Sequence, residues 1–397
     1  MLITNNFIWS IFVLNLINMQ QVYFDNAATT QMREEVISVM TEVMKNNYGN
    51  ASSSYSLGRL SKSLIETSRK TIAKFLNASA SEIIFTSGGT EADNLILHSA
   101  VKDLGIRHII TSKIEHHAVL HTVEALKKDY NIAVSYLQVD GNGTIDFDEL
   151  EELLRENTKT LVSLMHVNNE IGNILDIKRV ADVCKAYNAL FHSDAVQAIG
   201  HYPLDLQDIK VDFLAASAHK FHGPKGVGFA FVRKNSGLKP LIIGGEQERG
   251  LRAGTESVHN IAGLETAMTL AYNNLDSEME YIRNLKSYFI SKIKSEIPDA
   301  DFNGMSGDLK SSTYTLINVR LPIAANKSSM FLFQLDLKGV ACSRGSACQS
   351  GSNKKSHVLS EILNKEDLEK PSIRLSFSKY NTKAEIDYVV GVLKALV

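Results

Sequence analysis

Short apolar runs rich in β-branched residues recur through the middle of the chain and alternate with amphipathic helical patterns. The runs cover residues 108–111, 134–140, 160–167, 190–194, 211–217 and 226–233, and helical patterns such as 146–155 and 178–188 lie between several of them. Strands that alternate with helices require crossover connections, which favour parallel pairing. The sequence therefore predicts an α/β fold with a mostly parallel sheet.

The pattern changes after Thr255. A long polar helical pattern over residues 276–297 is followed by the strand-like run TYTLINVRL and by a final helix that starts at Lys383. A chain of 397 residues with 44% hydrophobic residues is large enough to bury two cores. We therefore expect a large α/β domain followed by a smaller α+β domain.

Charged residues make up 22% of the chain and nearly cancel, to a net charge of −2. A chain with this charge balance has neither the basic patch of a nucleic-acid-binding protein nor the basic face of a helix that binds a membrane surface. We therefore expect neither a nucleic acid nor a membrane as a partner. A small, nearly neutral substrate fits better. The three cysteines are odd in number and lack metal-ligand spacing, which favours a reducing compartment and, by default, the cytoplasm.

The apolar stretch 7–17 near the N-terminus is too short to span a bilayer. A secretory signal needs a positive N-terminal region, yet the first basic residue is Arg33. We therefore interpret residues 1–18 as an N-terminal extension that precedes a natural start at Met19.

In open α/β sheets, ligands bind beyond the carboxyl ends of the strands. The first candidate there is residues 85–91 (FTSGGTE), where an apolar run ends in a glycine pair before a helical pattern. Free N–H groups at a helix N-terminus form a phosphate cradle. An ordinary glycine turn capped by Thr90 is the alternative, and this segment alone does not decide between them.

Two further candidates follow later strands. Asp194 ends an apolar run, with Gln197 three residues on, and a carboxylate at this place can pair with a pyridinium nitrogen or simply cap a helix. Lys220 follows the run 211–217 and is flanked by histidines. Partial desolvation would favour the neutral amine that a Schiff base needs, whereas Lys225 has the setting of an ordinary surface lysine.

The fourth candidate is Cys348, within a stretch of small residues at 342–352 (CSRGSACQSGS). This composition suits an exposed loop, and Arg344 nearby favours the thiolate. Cys184 lies in an amphipathic helical pattern and is predicted to be a core residue, while Cys342 ends an apolar run and is interpreted as structural.

Together these segments resemble a known family, the cysteine desulfurases of the class V aminotransferase group, of NifS/IscS type. The resemblance covers the chain from about Val22 to its C-terminus, with the motifs in the family's order. The strings are YFDNAATT at Tyr23, SGGTEADN at Ser87, EHHAV at Glu115, HVNNEIG at His166, SDAVQA at Ser193, SAHKFHGPKG at Ser217, RAGTES at Arg252, GSAC at Gly345 and SIRLS at Ser372.

This resemblance implies the type I fold of pyridoxal-5'-phosphate (PLP)-dependent transferases, with PLP as the cofactor. It implies a large PLP-binding domain at residues 31–274, and a small domain formed by residues 19–30 and 275–397 that carries the catalytic cysteine loop. The substrate would be L-cysteine, the chain would form a homodimer, and a sulfur-acceptor protein such as an iron–sulfur scaffold or a sulfurtransferase would take the sulfur.

The resemblance also implies a role for each matching site residue. Lys220 would bind the PLP aldehyde, Asp194 the pyridine nitrogen, and His116 would stack on the ring. Arg374 would bind the substrate carboxylate, and Cys348 would be the nucleophile. The remaining residues would hold the phosphate, the phenolic oxygen or the substrate: Gly89, Thr90, Ser217, His219, Gln197, Asn169 and, from the neighbouring subunit, Thr255.

The implied reaction converts L-cysteine to L-alanine and leaves the sulfur on Cys348 as a persulfide, for iron–sulfur cluster or thio-cofactor biosynthesis. A selenocysteine lyase or a class V transaminase of the same fold is the alternative, and a catalytically idle sulfur carrier is a third. Ala51 and Tyr55 stand where the family commonly has a proline and a histidine, and the chain stops at Val397, where some relatives continue with a tail that contacts an iron–sulfur scaffold.

Two other patterns suggest metals but are interpreted otherwise. Residues 138–149 (QVDGNGTIDFDE) nearly match a calcium loop, but the first ligand position is Gln138 and a strand-like run precedes it, so we predict a strand, a turn and a helix. His117 and His121 have the spacing of a zinc helix, but no third ligand follows at a suitable distance, so we predict surface histidines.

Overall fold

The computed structural model describes residues 20–156, 159–324, 328, 330–345 and 355–397. The strands are β1 Val22–Tyr23, β2 Ile83–Thr86, β3 His108–Ser112, β4 Ala133–Leu137, β5 Thr160–Ser163, β6 Leu190–Asp194, β7 Phe213–Ser217, β8 Gly228–Val232, β9 Asp301–Phe302, β10 Leu316–Arg320, β11 Val340–Ala341 and β12 Ser372–Ser376. The helices are α1 Glu34–Asn46, α2 Ser56–Phe75, α3 Gly89–Lys102, α4 His117–Tyr130, α5 Phe147–Arg155, α6 Ile177–Ala186, α7 Val258–Asn273, α8 Leu275–Glu296, α9 Phe331–Asp336, α10 His357–Ile362, α11 Lys365–Glu369 and α12 Lys383–Leu396.

A seven-stranded sheet with the order β2-β8-β7-β6-β5-β3-β4 forms the centre of the fold. Every neighbouring pair from β7 to β4 is parallel, and β8 is antiparallel to both β2 and β7. Every residue of β2, β3, β5, β7 and β8 is buried. A sheet covered on both faces needs such continuous apolar strands. The predicted α/β fold with a mostly parallel sheet is confirmed.

Alternate residues of the strands pack into different hydrophobic clusters, as the two-residue period of a strand requires. Phe85 and Leu214 belong to one cluster, with Ile72 of α2 and Leu264 of α7. Ile84 and Phe213 belong to another, with residues of α3 and α4. The helices therefore cover both faces of the sheet.

A separate hydrophobic cluster lies outside this sheet. We call it the second hydrophobic cluster, and the two clusters on the faces of the sheet together the first hydrophobic cluster. It joins Val22 and Phe24 to residues of α8, β10, β12 and α12. Strands β9, β10 and β12 form an antiparallel sheet in the order β12-β10-β9, and β1 pairs in parallel with β11. The expected α+β region is present, and the division into residues 31–274 and residues 19–30 with 275–397 stays a prediction.

The segment that nearly matches a calcium loop is a strand, a turn and a helix, as predicted. Asp140 Oδ1 accepts the N–H groups of Asn142 (2.9 Å) and Thr144 (2.8 Å), so the carboxylate closes the turn itself. Asp146 caps α5.

The extension 1–18 lies outside the described residues. Within the residues that are described, no helix is long and apolar enough to cross a membrane.

The side chain of Lys286, in α8, is fully buried. Its Nζ donates to Ser312 Oγ (2.7 Å) and to the carbonyl oxygen of Thr313 (2.7 Å), which ties α8 to the segment before β10. Burial lowers the pKa of Lys286 from its ordinary 10.5 to about 7. The folded chain therefore holds a largely neutral amine above neutral pH.

Replacing Lys286 with methionine should flatten the pH dependence of thermal stability between about pH 7 and 10.5. In this window the unfolded parent binds a proton at Lys286 and the folded parent largely does not, so the stability of the parent should rise with pH. The variant lacks this contribution, which is on the order of a few kcal/mol across the window. Thermal melts across this pH range, with exposed Lys294→Met as the control, measure it. Equal slopes in Lys286→Met and the parent would contradict the neutral buried amine.

Candidate active site

The carboxyl ends of β2, β3, β5, β6 and β7 open onto one cavity of about 210 Å³. Of the residues predicted for the site, the structure brings ten together at this cavity: Gly89, Thr90, His116, Asn169, Asp194, Gln197, Ser217, His219, Lys220 and Arg374. They come from segments far apart in sequence, and the parallel arrangement of the strands is what joins them.

One end of the cavity is formed by the glycine turn between β2 and α3. Gly88 adopts φ +153°, and Gly228 of β8 approaches its backbone so closely that a Cβ on Gly228 would lie 2.8 Å from Gly88 Cα. A Cβ on Gly89 would lie 2.5 Å from Val196 Cγ2. The turn therefore needs glycines to bring the N-terminus of α3 up to the cavity, where backbone N–H groups attract anions.

Lys220 ends a short 3-10 turn directly after β7. Its Nζ donates to the carbonyl oxygens of Ala27 (2.6 Å) and Ala28 (2.8 Å), which hold the amine in the cavity. The neighbouring His219 accepts two hydrogen bonds from Thr30 at its carbonyl oxygen. Sequence reasoning missed the contribution of residues 27–28, because backbone carbonyl groups leave no side-chain signal. Lys225 is exposed, as predicted.

Asp194 ends β6 beneath the cavity. Its Oδ1 accepts the N–H group of Val196 at 2.9 Å. Burial raises the pKa of Asp194, while the Val196 hydrogen bond and the charge of Lys220 act against that rise. Gln197 donates from Nε2 to the carbonyl oxygen of Ala27 at 2.9 Å, so the same alanine holds both Gln197 and Lys220.

Two further buried acids lie beside Asp194, and sequence reasoning missed both. Burial raises the pKa of Asp93 well above its ordinary value, and the charges of Asp194 and Glu115 add to the rise. Burial likewise raises the pKa of Glu115 to about 8. His192 lies 3.3 Å from Asp93, but burial lowers the pKa of His192 to about 3, so this contact is not an ion pair near neutral pH. The polar residue within the apolar face of α3 was the available signal for Asp93.

His116 is the N-cap of α4, and its Nδ1 accepts the N–H group of Ala118 at 3.1 Å. Burial, together with the charge of Lys220, lowers the pKa of His116 to about 4. The imidazole is therefore neutral near pH 7, with its proton on Nε2, because Nδ1 is an acceptor. A neutral ring at the cavity wall suits stacking against an aromatic ligand.

Arg374 of β12 reaches the cavity from the region of the second hydrophobic cluster and is 1% exposed. It donates from Nη1 to the carbonyl oxygen of Asn169 and from Nη2 to Asp25 Oδ1, both at 2.8 Å. Its Nε has no hydrogen-bond partner within the described residues. A buried guanidinium with donor capacity left over is suited to a carboxylate ligand.

Two predicted site residues are not seen at the cavity. Thr255 is exposed and is not among the lining residues, so its role across a subunit interface stays a prediction. Cys348 lies outside the described residues. Cys184 is buried in the core, as predicted, and Cys342 packs against the second hydrophobic cluster.

The two histidines that we predicted to lie on the surface behave differently from each other. His121 is exposed. For His117 the prediction was wrong, because its ring is half-buried between His121 (4.7 Å) and His357 (4.4 Å). Helix α10, which begins with His357, packs there, and that long-range contact has no signal in the local sequence.

Comparison with known proteins shows which family the chain resembles. The class-V aminotransferase family matches residues 22–389. A protein of Dictyoglomus turgidum named "Cysteine desulfurase IscS" is 42% identical over 380 residues, which are 95% of each chain. A protein of Bacillus subtilis named "Putative cysteine desulfurase IscS 1" is 42% identical over 95% of this chain and 100% of its own length.

Solved structures agree with this result. A structure titled "NIFS-LIKE PROTEIN" has a TM-score of 0.86 and 36% identity, and the match covers 95% of this chain and 99% of that one. A second, titled "SspA in complex with cysteine", has a TM-score of 0.79 and 33% identity over 91% of this chain and 99% of that one. With sequence, fold and cavity in agreement over almost its whole length, the chain belongs to the class-V aminotransferase family.

Proposed function

We propose that this chain is a PLP-dependent cysteine desulfurase, which converts L-cysteine to L-alanine and transfers the sulfur to Cys348 as a persulfide. The persulfide would supply iron–sulfur cluster or thio-cofactor biosynthesis. The observation that carries the proposal is the convergence of Lys220, Asp194, His116 and Arg374 on one cavity. The relatives named as cysteine desulfurases support the choice of substrate.

The residues at the cavity fit PLP. The cradle that a Cβ on Gly89 would fill, together with Ser217 and His219, suits a phosphate. Asp194 suits a pyridinium nitrogen, His116 suits a ring face, and Lys220 suits the aldehyde. When bound, PLP supplies an aldehyde that condenses with amines and a conjugated ring that accepts electrons released at the substrate Cα.

The first step of the reaction removes the proton from the substrate Cα. Arg374 orients the substrate carboxylate, with Asn169 beside it. Lys220 Nζ, placed by the carbonyl groups of Ala27 and Ala28, would take this proton as the general base. Asp194 would hold the pyridine nitrogen of the cofactor; the N–H group of Val196 and the charge of Lys220 oppose the rise in its pKa that burial causes.

Sulfur transfer follows at the Sγ of the substrate. The thiolate of Cys348 forms a bond to this sulfur, and the substrate Cβ–Sγ bond breaks. The electron pair of the broken bond stays with the substrate carbon skeleton, which takes up protons and leaves as alanine. The persulfide on Cys348 is then transferred to an acceptor thiol by exchange, which suits a reducing compartment such as the cytoplasm.

Exposed apolar side chains support a homodimer. Tyr48 is 73% exposed and Ile243 is 81% exposed. The two segments that carry them, 48–60 and 241–255, are neighbours, because Gln247 Nε2 lies 3.4 Å from Ser52 Oγ. We call their exposed residues the apolar patch: Tyr48, Tyr55, Leu57, Leu60, Leu241, Ile242 and Ile243. Thr255 lies in the second segment. A partner subunit that covers the patch would bring Thr255 close to the cavity of that partner.

Replacing Lys220 with alanine should abolish covalent attachment of PLP, because no other amine lines the cavity in the described part of the chain. The holo-protein should lose its borohydride-reducible absorbance. Lys225→Ala is the matched control, since Lys225 is exposed and lies five residues on, and it should keep the absorbance. Retention of the reducible absorbance in Lys220→Ala would assign the attachment to another lysine.

Replacing Cys348 with serine should spare PLP binding and the spectral change that cysteine causes. Formation of alanine and sulfide should fall by more than about a thousandfold, because the attacking thiol is gone. Cys184→Ala, a change in the core, should keep most activity. Mass spectrometry of the parent after cysteine treatment should find one added sulfur on the peptide with Cys348. Full turnover by Cys348→Ser would favour a lyase that needs no protein thiol.

Replacing Ile243 with glutamate should convert the dimer to monomers, because it buries a charge in the apolar patch. If Thr255 contributes a hydrogen bond to PLP in the partner's cavity, dissociation should also lower the affinity for PLP by about tenfold. This is the effect expected from the loss of one hydrogen bond to a charged group. Analytical ultracentrifugation and PLP titration measure the two effects. Leu337→Glu, at an exposed leucine outside the patch, is the control. A parent that sediments as a monomer would contradict the proposal.

A further inference from the structure

The carboxylate of Asp25 binds the one guanidinium that lines the cavity. Arg374 Nη2 donates to Asp25 Oδ1 at 2.8 Å, and Arg374 Nη1 donates to the carbonyl oxygen of Asn169 at 2.8 Å. The side chain of Arg374 is 1% exposed and that of Asp25 is 18% exposed. Asp25 is not among the residues that line the cavity, so it would act on a bound ligand through Arg374 and not by contact.

Asp25 is itself held from a second side. The hydroxyl group of Ser343, a buried residue, donates to Asp25 Oδ2 at 2.7 Å. Two backbone hydrogen bonds join Ser343 to Arg374, because the N–H group of each donates to the carbonyl oxygen of the other, at 3.3 and 2.6 Å. Asp25, Ser343 and Arg374 therefore form one connected group, which we call the Asp25 triad.

The Asp25 carboxylate changes what Arg374 can offer to a ligand. A buried guanidinium without a counter-charge is costly, and Asp25 supplies that counter-charge. The attraction between two unit charges stays substantial at short distance inside a protein. An internal carboxylate that already lies against Arg374 must therefore weaken the attraction between Arg374 and the carboxylate of a ligand.

The same contacts fix the plane of the guanidinium. Nη1 and Nη2 of Arg374 each have a partner at 2.8 Å, whereas Nε has none within the described residues. Rotation of the guanidinium would break both hydrogen bonds. A planar fork makes two parallel hydrogen bonds only to a carboxylate that lies in its own plane. The contacts to Asp25 and Asn169 therefore select the orientation of a bound carboxylate.

We propose that Asp25 is a positioning residue for the substrate: it compensates the charge of Arg374 and fixes its plane, and thereby sets how tightly and in which orientation the cavity binds the carboxylate of an amino acid. This inference deepens the proposed function and rests on its assignment of Arg374 to the substrate carboxylate. Moderate binding suits an enzyme whose product carries the same carboxylate as its substrate and has to leave. Tighter binding of the substrate would lower KM without raising kcat.

Two substitutions change the Asp25 triad in opposite directions. Asp25→Asn removes the charge and keeps the shape, since the amide oxygen can accept from Arg374 and the amide nitrogen can donate to Ser343. Ser343→Ala keeps the charge and removes the hydrogen bond to Oδ2, so the charge of Asp25 acts more strongly on Arg374. Charge compensation therefore predicts effects of opposite sign, whereas a general loss of structure predicts weaker binding in both variants.

The measurement compares L-alanine with L-alaninamide, each titrated into the PLP-loaded protein and followed by absorbance. Both ligands carry the amine that reacts with PLP, but only L-alanine carries a carboxylate. The ratio of the Kd of L-alaninamide to the Kd of L-alanine therefore isolates the contribution of the carboxylate. Asp25→Asn should raise this ratio by roughly tenfold. Ser343→Ala should lower it by about twofold to threefold, the effect of one hydrogen bond.

Two matched controls should keep the ratio of the parent. Asp301→Asn removes the charge from another aspartate–arginine pair, in which Asp301 lies 2.6 Å from Arg320, and neither residue lines the cavity. Ser360→Ala removes a hydroxyl group from α10, where it donates to the carbonyl oxygen of Ser356. A changed ratio in either control would show that the assay responds to distant charges or hydroxyl groups, which overturns the inference.

A ratio in Asp25→Asn at or below that of the parent also overturns the inference, because a purely structural role of Asp25 predicts weaker binding of the carboxylate. If Asp25→Asn does not fold or bind PLP, Ser343→Ala decides, and a ratio there at or above that of the parent is the contrary result. A parent that binds both ligands equally well would remove Arg374 from the role assumed here. Failure of the proposed function is separate, since it appears as a parent that forms no alanine or sulfide from cysteine, and the titration needs no sulfur transfer.

Discussion

The stretch at residues 24–30 is the constraint on which the rest of the site depends. Phe24 anchors it in the second hydrophobic cluster, against Phe377. From there Asp25 binds Arg374, and the carbonyl groups of Ala27 and Ala28 bind Lys220 and Gln197. Buried polar groups must find partners, and this stretch supplies them both to residues that follow strands of the large sheet and to Arg374 of β12. The amine and the guanidinium are thus held relative to each other by one short piece of backbone.

The groups around the three buried acids determine which of these acids can pair with the cofactor ring. Burial raises the pKa of Asp93, Asp194 and Glu115; the charge of Asp194 adds to the rise at the other two, and the charge of Glu115 adds to the rise at Asp93. The pKa of Asp194 rises only to about 6, because the N–H group of Val196 and the charge of Lys220 oppose the effect of burial. The pKa of Glu115 rises to about 8, although this carboxylate accepts hydrogen bonds from Met165 and Ser112. The negative charge therefore concentrates on Asp194, whereas Asp93 and Glu115 favour their protonated forms. His116 remains neutral above them, so the ring cavity holds few uncompensated charges.

Much of this arrangement could be predicted from the sequence, because strands and the polar residues that follow them are local signals. The rule that ligands bind at carboxyl ends of parallel strands found Lys220 and Asp194, and the family resemblance added Arg374 and the others. The reversed direction of β8 could not be predicted, since it depends on which strands pair. The carbonyl groups of Ala27 and Ala28 carry no side-chain signal. The contacts of the buried Glu170 carboxylate with residues 345 and 356 could not be predicted either, because these residues are distant in sequence.

The three cysteines show why sulfur chemistry has to lie outside the hydrophobic clusters. Burial raises the pKa of the Cys184 thiol strongly, and burial together with Asp25 raises the pKa of Cys342 to about 12. A thiol with such a pKa is protonated near pH 7, and the thiol form is a poor nucleophile. Cys342 is only six residues from Cys348, and the charge of Arg374 lowers its pKa, but burial and the charge of Asp25 outweigh that effect. Packing therefore keeps the thiols of Cys184 and Cys342 protonated, which leaves Cys348 as the candidate nucleophile.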